Sequence, residues 1–228
     1  MTNEKMTMED MVKHGQRLFQ SAENLKKSAR DLVALNDSIL TYLKDLDLGD
    51  YQFELEKSKH SDEKNEWCRM AQSFDIDVKE SVGDKSKKQT IIGTITVITR
   101  LCDFEACDPE APKHPWNEQA CIIVGWHKAE EWERLDLEDA YWGIDSFDPE
   151  NAPSIHHREN GLWAWKDEEE EDQNDNGYFF ALPIFSVTNE SLIKRWLLKP
   201  LVALFNSANP ATTAATVLKE IPVLLPSE

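Results

Sequence analysis

From about residue 8 to residue 46, apolar positions recur every seventh residue. Met11, Leu18, Leu25, Leu32, Ile39 and Leu46 form one row, and Gly15, Ala22, Ala29, Asn36 and Leu43 lie four positions beyond the first five. That spacing predicts a long helix, about 60 Å from end to end if unbroken, with a seam whose small row admits a close neighbour. Asn36, Asp37 and Ser38 offer a second option, in which one helix ends and another is capped, giving a hairpin. The seam has two candidate occupants: the protein's own sheet, or a partner helix in a coiled coil or dimer.

After Gly49 the period changes to two. Tyr51, Phe53 and Leu55 alternate with Gln52, Glu54 and Glu56, while Met70, Phe74, Ile76 and Val78 oppose Ser73, Asp75, Asp77 and Lys79. Such alternation predicts strands with one wet face. The β-branched run QTIIGTITVITRL follows SVGDKSKK, so residues 68 to 101 are expected to form a hairpin with a basic tip at Gly83 and Asp84. The segment QACIIVGWH, 119 to 127, is apolar on both faces and suits a central strand. A short helix is expected from Lys128 to Ala140, strands near 141 to 147 and 160 to 166, and a buried strand at GYFFALPIFSV, 177 to 187. Thr188 or Asn189 can cap a final helix running to about Asn206, with Leu192, Trp196, Leu197 and Leu201 inward and Pro200 kinking or splitting it.

These elements predict an α+β fold: a long N-terminal helix, an antiparallel sheet of five to seven strands and a C-terminal helix packed on the sheet. Residues 1–48 are expected to form a helical arm, and 49–228 one α+β domain holding an acidic, Trp-rich region at 101–176. With 228 residues, 40% of them apolar, the chain can bury a sizeable core. The first residues lack a secretory-signal pattern, and the apolar C-terminal stretch is interrupted by Lys199, Pro200, Asn206 and Pro210. A soluble cytoplasmic protein with no membrane contact is therefore expected. Its four cysteines are expected to stay reduced.

Charge alters the picture most. The formal net charge is −18, and residues 101–176 hold 22 acidic against 5 basic side chains, whereas 1–100 hold 18 against 16. The same third contains Trp116, Trp126, Trp132, Trp142, Trp163 and Trp165. Disordered acidic tails carry few aromatics, so the mixture points to an acidic surface on an aromatic base. Such a surface attracts basic proteins and repels nucleic acid, and direct nucleic-acid binding is not expected.

Several constellations bear on chemistry. Asp172, Asn174, Asn176 and Gly177 match the first half of a calcium loop, but the twelfth position is Pro183, where a bidentate Glu is required; a hairpin loop accounts for the same letters. Cys102, Cys107, His114 and Cys121 supply zinc-ligand types at spacings looser than a usual zinc site. His127, Asp145, His156 and His157, with Ser154, are the acid-base and nucleophile candidates; Asp75, Asp77 and Lys79 faintly resemble the acid-x-lysine strand of a metal-dependent nuclease, but alternation on a wet strand face produces the same letters. Stacked indoles beside carboxylates also suit a carbohydrate site, although the acids are too many to nominate a pair. No glycine-rich phosphate loop, nucleophile elbow or HExxH motif is present. No cofactor is expected.

The function expected is a non-enzymatic binding or inhibitory module, a nucleic-acid mimic in charge, that docks on a basic surface of a partner such as a nucleic-acid-handling effector or toxin. Asp103, Glu105, Asp108, Glu130, Glu131, Glu133, Glu138, Asp139, Glu168, Glu169, Glu170, Glu171 and Asp172 are the candidates for steering and charge-paired hydrogen bonds, with Trp132 as an anchor. The alternative is a hydrolase, metal-assisted or not, built from carboxylates and histidines of the same region. A homodimer through the N-terminal helix is a further expectation.

Overall fold

The computed structural model describes residues 8–46, 48, 51–55, 71–81, 89–100, 119–128, 155–165, 177–207 and 209–225. Helix α1 (Met8–Asp45) precedes strands β1 (Tyr51–Leu55), β2 (Ala71–Ser81), β3 (Gln89–Arg100), β4 (Cys121–Lys128), β5 (Ile155–His157), β6 (Trp163–Trp165) and β7 (Gly177–Pro183). A helical run α2 follows in three stretches, Glu190–Leu192, Ile193–Leu198 and Lys199–Phe205, and α3 (Pro210–Leu218) comes last. The strands form one antiparallel sheet in the order β1-β2-β3-β4-β7-β6-β5. This is the expected α+β class.

Alternation along the strands sorts side chains onto two faces. Phe53, Ile76, Val78, Ile95, Val97, Ile122, Val124, Trp126, Phe180 and Leu182 pack with Ile39 and Leu43 of α1 and with Leu197, Leu201, Leu204, Ala214 and Leu218 of the C-terminal helices. Phe205 closes one end of this core, its ring 5.7 Å from Tyr51, 6.0 Å from Phe53 and 5.4 Å from Trp126. On β1 and β2 the opposite face was expected to be wet; Gln52 and Glu54 are exposed there, but toward the middle of the sheet that face is covered. Asp77, Thr94, Thr96 and His127 are buried there, along with Ile98, Ile123, Trp163 and Phe179.

A bulge interrupts the β2–β3 ladder between Val78 and Lys79. Gly93 sits at that point because the Trp126 ring occupies the space beside it; a Cβ there would fall 2.1 Å from Trp126 Cη2 and 2.3 Å from the His127 carbonyl oxygen. Asn160 turns the chain between β5 and β6 at φ 58°, and its amide donates to the Ala215 carbonyl at 3.0 Å.

The N-terminal helix runs unbroken through Asn36, Asp37 and Ser38; the Ser38 hydroxyl donates back to the Ala34 carbonyl at 2.6 Å instead of capping a new helix. Its two halves differ. Leu32, Ile39 and Leu43 are buried, while residues 11–24 are exposed on every side, with Leu18 74% and Phe19 69% accessible. The seam therefore meets the protein's own core only in its second half.

At α2 the Asn189 side chain accepts from the Leu192 N–H at 3.1 Å, the expected cap. Pro200 lacks an N–H and its ring would press on the carbonyl four residues back. The helix answers with a π-wound stretch at Ile193–Leu198, where the Lys199 N–H reaches the Lys194 carbonyl five residues earlier. The residues around the change, Leu198 and Lys199, keep right-handed helical angles. Pro200 thus alters the winding without breaking the rod.

Candidate protein-docking surface

One row of residues crosses the entire sheet. Glu54 lies opposite Asp77, Asp77 opposite Thr94, Thr94 opposite His127, His127 opposite Gly177, Gly177 opposite Trp165, and Trp165 opposite Ile155. At the Ile155 side of this row the chain repeatedly leaves and re-enters the sheet. It leaves after Lys128, re-enters at Ile155, leaves again after Trp165 and returns at Gly177. Four adjacent strand ends spaced about 4.8 Å apart span roughly 15 Å.

The two segments joined to those ends, 129–154 and 166–176, contain nine acids with one base and seven acids with one base, a combined net of −14. Strand order thus ties most of the acidic third to one edge of the sheet. The segment from Arg100 to Cys121, with five acids, is attached at the other end of β4, seven residues or about 23 Å away. The tip joining β2 to β3, with Lys85, Lys87 and Lys88 beside Asp84, is attached at the same end as the two acidic segments and opposes part of their charge.

All fourteen candidate docking residues lie outside the described residues. By attachment they divide into two groups. Glu130, Glu131, Trp132, Glu133, Glu138, Asp139 and Glu168, Glu169, Glu170, Glu171 and Asp172 belong to the two segments tied to the row, whereas Asp103, Glu105 and Asp108 belong to the distant one. Trp126 and Trp163 within the frame are buried; the Trp163 ring stacks on Phe179 at 6.2 Å and faces His157 at 5.2 Å. Trp126 belongs to the core under the helices and Trp163 to the opposite face of the sheet.

Of the candidate zinc set only Cys121 is described, and it is a fully buried thiol on β4. Of Asp172, Asn174, Asn176 and Gly177 only Gly177 is described. Its φ is not positive, and a Cβ would meet His127 Cβ at 2.9 Å, so close packing against β4 explains the glycine better than a ligand turn does. Among the described residues no group of three metal-capable side chains forms. His127 is buried in the row, His157 is exposed on β5, and Asp145 and Ser154 lie outside the described residues.

Asp75, Asp77 and Lys79 have separate employments. The Thr96 hydroxyl donates to Asp75 at 2.5 Å, and Lys79 donates to Glu54 across the β1–β2 pair. The hydrogen bond and charge of Lys79 hold the Glu54 carboxyl below its ordinary value. Burial pushes the Asp77 carboxyl above its ordinary value, opposed by Lys79 and reinforced by Glu54. This buried Asp77–Thr94–His127 stretch is what sequence reasoning missed; the only signal was the alternating threonines of TITVIT opposite Asp75 and Asp77.

No helix among the described residues is long and apolar enough to cross a membrane. Comparison of the chain with protein-family models, with curated proteins and with solved structures finds no match.

Proposed function

We propose that this chain is a non-enzymatic binding or inhibitory module whose acidic segments dock on a basic surface of a partner protein, such as a nucleic-acid-handling effector or toxin. The observation that supports this most is the attachment of segments 129–154 and 166–176 to four neighbouring strand ends. Sixteen carboxylates tethered across about 15 Å generate a local field that charge spread over the molecule does not. Lysines and arginines that normally meet phosphates form charge-assisted hydrogen bonds equally well with carboxylates.

In this mechanism the carboxylates accelerate encounter and Trp132 supplies desolvated contact area. The proposal includes action in the cytoplasm, away from membranes and without direct nucleic-acid contact. The α1 seam is proposed to join two copies, so that one particle presents two acidic edges.

Capture from host lysate with the immobilised chain is expected to enrich basic proteins at low salt and release them at high salt. Replacing Glu168, Glu169, Glu170 and Glu171 together by Gln should slow association with the captured partner roughly tenfold or more at low salt. Capture that enriches no basic protein overturns the proposal.

A further inference from the structure

The apolar positions in the first half of α1 pack on no other element among the described residues. Met11, Val12, Leu18 and Phe19 are each about half or more exposed, and a Cβ added at Gly15 would find nothing within 4 Å. Their row leads through Leu25 into Leu32, which is buried. Leu32 lines a groove of about 460 Å³ between the second half of α1 and the corner at Ile184–Glu190, with Leu35, Ile184, Val187 and the 83%-exposed Phe185 as its apolar walls. One chain therefore exposes both an apolar helix and a groove beside the continuation of the same seam.

Charge identifies the occupant. Residues 11–30 carry five bases, Lys13, Arg17, Lys26, Lys27 and Arg30, against Glu23 alone, a net of +4; the rest of the chain carries −22. The second half of α1 has Asp31, Asp37 and Asp45 against Lys44, and the groove is lined by Asp31 and Glu190 without a lysine or arginine. A parallel pairing of two α1 helices sets like charges side by side, whereas an antiparallel pairing brings Lys13 and Arg17 of each onto the stretch of the other that holds Asp31 and Asp37.

We infer that two copies associate through antiparallel α1 helices, each arm seated in the groove of the other copy. This gives chemical and geometric detail to the proposed role of α1 as a seam between copies, and it is independent of what the acidic edge binds. Placing Leu18 over the partner's Leu32 sets the two-fold axis near Leu25. The partner's Phe19 and Leu18 then reach the walls formed by Leu35 and Phe185. Both grooves fill at once, so the assembly is isologous and closes at two copies.

Sedimentation equilibrium of the full chain is expected to give twice the 26.2 kDa chain mass. Leu18→Asp and Phe185→Asp, both at exposed positions, should each weaken association at least roughly tenfold while leaving the thermal midpoint of the single chain unchanged, and Leu18→Met should retain it. Mild oxidation reads the orientation: Leu25→Cys is expected to form a covalent dimer and Leu18→Cys is not, with the wild-type chain as control. A monomer at all concentrations, an assembly that grows past two copies, or efficient cross-linking through Leu18→Cys overturns the inference. So does a monomer whose arm binds anionic vesicles instead. Partner capture by the acidic edge is measured separately on the Leu18→Asp chain, which keeps failure of the pairing distinct from failure of the docking function.

Discussion

Asp77 shows how a single residue can be misread from its neighbours. Its alternation with Ile76 and Val78 predicts a wet position, yet it is buried opposite Thr94 and its carboxyl is pushed upward by burial. A group with a raised folded-state value stabilises the fold below its unfolded value and loses that contribution as pH rises through the folded value. Asp77→Asn is therefore expected to raise the thermal midpoint at neutral pH, with the gain fading in acid, where the aspartate is neutral in both states; melting curves across pH check this. Gly93→Ala should cost about 1–3 kcal/mol, because the added carbon collides with the Trp126 ring and a backbone carbonyl. Asn189→Ala removes the α2 cap and should cost about 1 kcal/mol in denaturant unfolding. The cap was legible because asparagine before an amphipathic run has a specific backbone role. The burial of Asp77 was not, since alternation has the same letters whether the polar face meets water or protein.

At the scale of elements, α1, β1, the β2–β3 hairpin, β4, β7 and the first C-terminal helix follow from period and length. The residues that escaped lack a period to be read. Strand β5 has only three residues, Ile155–His157, and α3, PATTAATVL, has weak contrast between its faces. Pro200 forecast a disturbance but not its form, because the choice between a kink and a wider turn depends on packing at Ile193, Leu197, Leu198 and Leu201. Replacing Pro200 by Ala restores a donor and removes the ring, so the α2 backbone should relax toward ordinary α winding; hydrogen exchange at Lys199 and its neighbours would register the shift. The even seven-residue row also hid the division of α1, half core and half arm, because a repeat reports that a face is apolar without reporting what covers it.

For the whole molecule, composition located the negative charge in sequence, and strand order adds where the two most acidic segments join the sheet. Parity identifies which residues share a face, and it is silent on which strands are neighbours; the sequence 1-2-3-4-7-6-5 is what brings the ends of β4, β5, β6 and β7 together. The proposed docking is accordingly a property of topology as much as of charge. Its rate should fall steeply with ionic strength, more steeply than α1 pairing weakens with salt, since the contacts of that pairing are largely apolar.

The shared row of strand ends also has an engineering consequence. Segments hemmed at fixed, adjacent stitches change their closure entropy only slightly when their length changes. Exchanging residues 166–176 for a short Gly- and Ser-rich turn should leave the melting point nearly untouched while abolishing capture of the basic partner. By the same logic, the sheet is a chassis on which recognition can be rewritten one hem at a time.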